Sequence, residues 1–303
     1  MRFKQILPSD YPKFKVFFAR QRYKLCAYSL SSIIVWSNHL YNPYGAIDGE
    51  TLIICNKWTT RKKDPYLILP ISQVKEYVPE ELHDLAVTLG IEAYWFVPDD
   101  YIKRYKQSRI EHFFEVIEQK EFEDYVYLTE DLSELKGNKY SKKRNLIHQF
   151  ERDYLRKGRV RIEKITPSVV SECNAFIEEW CKERGSGLGR DKGLAREKQA
   201  AINAVENINI LEASGILVRI DGVFSAFGIS SKLTNNMGAL HFEKAFAGIK
   251  GLYQFVDNKC AKHLFNGCTY INKESDMNIR GLARAKKSYH PIMRIKSYRL
   301  RVR

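Results

Sequence analysis

Three strand-length runs between residues 215 and 242 limit what the second half of this chain can fold into. Gly215–Ile220, Val223–Ser231 and Met237–Phe242 are rich in β-branched and aromatic residues and are separated by turn-forming stretches. Asp221-Gly222 joins the first two, and that dipeptide tolerates the positive φ angles of a tight hairpin. The meander then gives way to helical stretches at Leu252–Phe265 and Ile279–Tyr289, with strand signals at Cys268–Asn272 and near Ile292–Leu300. Upstream, Tyr140–Arg156 reads as a basic amphipathic helix with Ile147, Phe150 and Tyr154 on one stripe. Val160–Ile165 reads as a strand. Pro167 opens a helix to about Arg184, ended by Gly185 and Gly187, and a second helix covers Ala195–Asn207. A meander followed by helical crossovers predicts an α/β sandwich around one central sheet.

The first half repeats this order loosely. Helices are expected at Pro12–Arg20, Ala27–Asn38, Pro79–Gly90 and Asp100–Gln107. Strands are expected at Ala46–Ile47, Thr51–Asn56, Tyr66–Pro70, Ala93–Val97 and Phe113–Ile117. Two copies of one fold, diverged beyond sequence similarity, account for the repeat. The expected division is residues 1–133 and 134–303, a size of domain that can bury its own core.

Charge separates the same two stretches. Residues 1–133 hold 17 Lys+Arg against 19 Asp+Glu, a balance of −2; residues 134–303 hold 33 against 17, a balance of +16. Lys136–Lys164 carries 11 basic and 3 acidic residues, and Arg280–Arg303 carries 9 basic and none acidic. Such runs attract a polyanion such as RNA, an anionic lipid surface or a phosphorylated cofactor, or serve as solvated faces. No apolar run approaches the ~20 residues of a membrane span, and Met1–Phe14 lacks a signal-peptide core. A soluble, cytoplasmic protein is expected. The six cysteines form no CxxC pair, so free, mostly buried thiols and no metal site are expected.

The chemistry-bearing stretches lie in the basic half. His241-Phe-Glu-Lys-Ala-Phe-Ala-Gly-Ile-Lys-Gly-Leu-Tyr253 leaves a strand, passes two glycines and opens a helix. It reads either as a phosphate cradle, with Lys244, Gly248, Lys250, Gly251 and Tyr253 around the anion, or as an ordinary strand-to-helix loop. His241 and Glu243 alternate on that strand and read as an acid/base couple or a structural pair. Asn272, Glu274 and Asp276 alternate after the next strand, where paired carboxylates can orient an amine or act as a base, or Asp276 can cap the following helix. On that helix Arg280, Arg284 and Lys287 share a side. An acidic cluster beside a basic face suits a substrate with both an ammonium and phosphates. No Gly-x-Ser-x-Gly elbow, Walker loop or HExxH motif is present.

The sequence resembles the family grouped with the C-terminal domain of phosphatidylglycerol lysyltransferase. The resemblance rests on Tyr125-Val-Tyr-Leu-Thr-Glu-Asp-Leu-Ser-Glu-Leu-Lys-Gly137, on Lys142-Lys-Arg-Asn145 with Phe150 and Tyr154, and on His241–Tyr253. It continues through Asn272-Lys-Glu-Ser-Asp276, Leu282-Ala-Arg-Ala-Lys286 and Ser288-Tyr-His-Pro291. It implies an α/β fold of two tandem GNAT-like N-acyltransferase domains, each a mixed central sheet flanked by helices. The first copy is expected to be degenerate and the second to carry the transfer site. The chain is also similar to Fem-type aminoacyltransferases, which use aminoacyl-tRNA.

The expected function is transfer of an aminoacyl or acyl group to an amine or hydroxyl. Glu243, Asp276 and His241 are the catalytic candidates. Asn272, Glu274, Arg284, Lys286 and Tyr289 are expected at the substrate, and Lys142, Lys143 and Arg144 on tRNA or another long anion. The alternatives are a coenzyme A thioester as donor, or a non-catalytic module binding RNA or an anionic surface.

Overall fold

A computed structural model describes residues 1–38, 41–59, 63–184 and 192–303. The strands are β1 (Lys4–Gln5), β2 (Tyr41–Asp48), β3 (Thr51–Trp58), β4 (Tyr66–Leu67), β5 (Ile71–Ser72), β6 (Ala93–Pro98), β7 (Phe114–Glu118), β8 (Asp124–Leu128), β9 (Val160–Lys164), β10 (Ser214–Ile220), β11 (Val223–Lys232), β12 (Met237–Ala245), β13 (Tyr270–Ser275), β14 (Met293–Ile295) and β15 (Ser297–Val302). The helices are α1 (Tyr11–Phe18), α2 (Leu30–Val35), α3 (Pro79–Leu89), α4 (Asp99–Tyr105), α5 (Gln107–Ile110), α6 (Thr129–Glu134), α7 (Ser141–Asp153), α8 (Val170–Glu183), α9 (Lys192–Glu206), α10 (Leu252–Leu264) and α11 (Arg280–Lys287). The result is a mixed α/β chain with two mixed sheets flanked by helices, the class expected from the sequence.

Two compact units make up the chain. The first comprises Met1–Tyr125, Glu274–Lys286 and Met293–Arg303; the second comprises Val126–Lys273 and Lys287–Ile292. They are not the contiguous stretches 1–133 and 134–303. The reason is β15. It lies between β6 and β7 in the sheet ordered β1-β2-β3-β4-β6-β15-β7, antiparallel to both, with Leu300 fully buried. The last strand expected with the second domain is therefore a central strand of the first unit. Charge redistributes with it. The first unit holds 25 basic and 19 acidic residues, and the second holds 25 and 17. The −2 and +16 of the linear halves become +6 and +8.

In the second sheet the order is β14-β8-β13-β12-β11-β10-β9. The hairpin forms as expected: Ile220 pairs with Val223, and Asp221 and Gly222 take φ of 52° and 82°. α10 and α7 cover one face, where Phe255 meets Phe150 at 4.6 Å between ring centroids. α8 covers the other, with Phe176 against Phe224, Phe227 and Phe246. These aromatic contacts supply much of the second unit's core.

Several boundaries differ for local reasons. α2 begins at Leu30 rather than Ala27, because Cys26–Tyr28 forms a short 3₁₀ turn and the Ser29 hydroxyl accepts the Ser32 amide at 3.3 Å as the N-cap. β13 runs three residues past the expected Asn272. β8 carries the unbroken apolar run Tyr125-Val-Tyr127, fully buried, which lacks the alternation that marks a half-buried strand. The helix end expected at Gly185 and Gly187 lies outside the described residues. Five of the six cysteines are buried, Cys268 is half-buried, and all are unbridged. Among the described residues no helix is long and apolar enough to cross a membrane, and no His/Cys/Asp/Glu group is arranged for a metal.

Candidate active site

β12 and β13 run parallel but pair over only three positions, Met237 with Tyr270, Gly238 with Ile271 and Ala239 with Asn272. Lys273, the residue after the last paired position, turns its ammonium onto two carboxylates. Its Nζ lies 3.0 Å from Glu243 Oε2 on β12 and 2.7 Å from Asp257 Oδ2 on α10. The three side chains are 11%, 15% and 3% exposed. The Tyr289 hydroxyl also bonds Asp257, and its ring lies beneath two cations, Lys143 at 3.9 Å and Lys273 at 5.2 Å. Lys143 Nζ donates to Ser288 Oγ at 2.6 Å.

Burial disfavours charge on Lys273, but Asp257 and then Glu243 override it and raise the pKa well above the ordinary lysine value. Lys143 moves the other way. Burial and the nearby Lys273 lower its pKa against the pull of Asp257 and Glu243. Burial, with the same two carboxylates, keeps the Tyr289 phenol protonated far above its usual range. Asp257 Oδ1 is buried without a hydrogen-bond partner among the described residues, a costly arrangement for a carboxylate. The cluster thus holds two carboxylates around Lys273, which they keep charged, with Lys143 nearby, its pKa lowered by burial and by Lys273.

A β-bulge decides what the strand presents. Phe242 pairs with Ile229 and Leu240 with Ser230, leaving His241 as the extra residue. Glu243 lies opposite Gly228, where a Cβ would come within 2.3 Å of Cys260 Sγ on α10. Glu243 is therefore on the α10 face. His241 Nε2 lies 2.7 Å from Ser231 Oγ, one strand away. The acid/base couple read from simple alternation ignored the bulge, which shifts that alternation by one residue.

Other expected residues are distributed as follows. Lys244 is buried, ion-paired with Glu197, and 4.4 Å from the Trp180 ring, which ties it to α8 and α9 and away from the glycine loop. Gly248 and Lys250 are exposed. The Tyr253 hydroxyl accepts from Trp180 Nε1 at 3.1 Å and from Arg184 at 2.9 Å. Asn272 is fully buried. Of the three cations expected on a long anion, Lys142 is exposed, Lys143 turns inward, and Arg144 is pinned to the Leu135 and Gly137 carbonyls. Asp276, Glu274, Arg284 and Lys286 lie in the first unit. Both oxygens of Asp276 are engaged, Oδ2 by the Tyr125 hydroxyl at 2.5 Å and Oδ1 by the Asn278 amide at 2.9 Å. The Tyr125 phenol is pushed up to about 12 by burial and by that bond.

Asp257, Lys273 and Ser288 were missed by the sequence reading. An aspartate inside the apolar stripe Leu252, Phe255, Val256, Cys260 was the available signal for Asp257. Lys273 sits between Asn272 and Glu274, so an argument from alternation selected the opposite face.

The two loop glycines have different jobs. Gly251 is the N-cap of α10 at φ 83°, and a Cβ there would lie 2.2 Å from the Leu146 carbonyl oxygen of α7. Gly248 has open space around it. Gly251→Ala should lower stability by about 2–4 kcal/mol through strain and overpacking. Gly248→Ala should change it by less than about 0.5 kcal/mol. Chemical denaturation of both variants checks this contrast.

Two mixed sheets flanked by helices, with a buried charge cluster between β12, β13 and α10 in the second unit, define a mixed α/β protein. The chain belongs to the phosphatidylglycerol lysyltransferase C-terminal family, which matches residues 19–301. The family supports an acyltransferase-type function. Among solved structures, a conserved protein of unknown function from Bacteroides thetaiotaomicron is 25% identical, with 100% of each chain covered and a TM-score of 0.88. The C-terminal domain of a putative lysylphosphatidylglycerol synthetase from Agrobacterium fabrum is 13% identical over 96% of this chain and 91% of that one, with a TM-score of 0.67. No curated protein matches the chain.

Proposed function

We propose that the chain transfers an aminoacyl group from an aminoacyl-tRNA ester to a hydroxyl or amine acceptor, and that the cluster around Glu243 is where transfer occurs. The observation that carries this reading is the cluster's composition. Two buried carboxylates, Glu243 and Asp257, converge on Lys273, which they hold in the charged form, and the second oxygen of Asp257 is buried without a hydrogen-bond partner among the described residues. A group bearing an ammonium, as an aminoacyl ester can, gives that oxygen a donor. An acetyl group offers neither charge nor donor. Glu243 accepts a hydrogen bond from the attacking group and aligns it on the ester carbonyl, and the departing ribose hydroxyl takes up the proton. Asp276, whose oxygens already hold a turn, is assigned a structural part. The family's name supports lysyl as the aminoacyl group and phosphatidylglycerol as the acceptor.

A coenzyme A thioester is the second reading. The exposed Gly248 and Lys250 beside the N-terminus of α10 favour it, since backbone N–H groups and a cation there suit a pyrophosphate. The two donors separate in one binding comparison. On the first reading, charged tRNA binds with Kd below about 1 μM at low salt and weakens steeply as salt rises, while acetyl-CoA leaves the melting temperature unchanged. Stabilisation by acetyl-CoA with no tRNA binding in a filter assay would reverse the assignment.

A further inference from the structure

We infer that the first unit binds a small primary amine, as its ammonium ion, between the carboxylates of Glu76 and Asp100. This inference stands independently of the transfer reading. Glu76 lies in the loop between β5 and α3, and Asp100 in the first turn of α4. The Glu76 side chain is 7% exposed. Its Oε2 takes two donors, an Arg104 guanidinium nitrogen at 2.5 Å and the Tyr105 hydroxyl at 3.0 Å. Its Oε1 is buried without a hydrogen-bond partner among the described residues, and so is Asp100 Oδ1. Burial is the largest influence on Asp100 and raises its pKa above the ordinary aspartate value, with Glu76 adding to the rise. Arg104 is the one cation paired with either carboxylate among the described residues. The neighbouring Asp99 is already paired with Lys103 at 2.5 Å. Two acceptors therefore lack donors and one carboxylate lacks a paired cation, a costly arrangement for groups kept from water.

The surroundings of the pair are aromatic and held in place. The Tyr23 phenol faces Glu76, and burial together with that carboxylate keeps it protonated far above its usual range. Tyr23 packs on Tyr28 at 4.6 Å between ring centroids, and Tyr101 on Tyr105 at 4.7 Å. Gln21 Nε2 fixes the loop that carries Tyr23 by donating to the Tyr23 and Tyr28 carbonyls at 2.8 and 3.2 Å. The Tyr101 hydroxyl donates to the Tyr77 carbonyl at 2.9 Å, which ties α4 to the loop that carries Glu76. Carboxylates backed by aromatic rings suit an organic cation. A water molecule can donate to both free oxygens but leaves the surplus charge. A primary ammonium brings three donors and the charge together. Both oxygens are buried while Asp100 itself is half-buried, so the ligand is a small free amine rather than a lysine on a protein surface.

Isothermal titration of the full chain with n-butylammonium chloride tests this at about 0.1 M salt. Saturable binding with a Kd below ~10 mM is expected. Tetramethylammonium, which has no N–H to donate, and potassium should each bind at least ~tenfold more weakly. Glu76→Gln and Asp100→Asn should each weaken butylammonium binding by ~tenfold or more. Asp100→Asn leaves the pair between Arg104 and Glu76 intact, so it should keep the wild-type circular dichroism even where Glu76→Gln loosens α4. Binding that survives both variants, equal binding of tetramethylammonium or potassium, or no binding of butylammonium would overturn the inference. Butylammonium binding lost with Asp257→Asn and kept with Asp100→Asn would place the amine in the second unit and overturn it too. The titration needs no donor and no turnover, so its failure would leave the transfer reading standing.

Discussion

Glu243→Gln should reduce transfer by about 10²–10⁴-fold, the usual range for a positioned group that handles a proton, while the protein remains folded. The substitution keeps the side chain's size and leaves Lys273 paired with Asp257 at 2.7 Å. It removes the negative charge from the group placed to align the attacking hydroxyl or amine. His241→Ala should have a much smaller effect, because the bulge in β12 sends His241 to Ser231. Turnover of a labelled donor by the two variants, alongside their denaturation curves, separates loss of chemistry from loss of fold. Equal activity of Glu243→Gln and the wild type would remove Glu243 from the mechanism and favour a non-catalytic binding module.

Lys273→Met should be the most destabilising single change in the second unit, lowering stability by about 3–5 kcal/mol. Glu243 and Asp257 would then face each other in a largely dry interior without the cation that compensates both. Methionine replaces the volume and removes the charge, so the loss reads electrostatics rather than a cavity. Replacing Lys273, Glu243 and Asp257 together by Met, Gln and Asn should recover much of that loss, since no unpaired charge remains. Urea denaturation of the single and triple variants measures both. A single variant within about 1 kcal/mol of wild type would mean that solvent reaches the cluster and screens it.

The elements were more legible in the sequence than their assembly. The 220–223 hairpin, the helix opened by Pro79 and the strand-loop-helix passage from 237 to 264 follow from local rules, and they stand within a few residues of where those rules place them. β15 was visible as a strand, but its partners were not. Nothing local in Ser297–Val302 says that it inserts between β6 and β7, about 200 residues earlier in the chain. That one long-range pairing undid both the contiguous domain boundary and the contrast in charge. Glu243 and Tyr289, singled out by residue type, do fall in the buried charge cluster. The rest of the site was hidden where geometry decided. A bulge parted His241 from the face of Glu243, the strand register brought forward Lys273 rather than its neighbours, and α10 supplied an aspartate from inside an apolar stripe.

Transfer from an aminoacyl ester at the Glu243 cluster is tested most directly by incubating the protein with tRNA charged with radiolabelled amino acids, in the presence of phosphatidylglycerol vesicles, and following label into the organic phase. The expected result is labelled lipid formed by the wild type and lost with Glu243→Gln. An aminoacyl ester no less stable with the protein than in buffer, with no labelled product, would contradict the account.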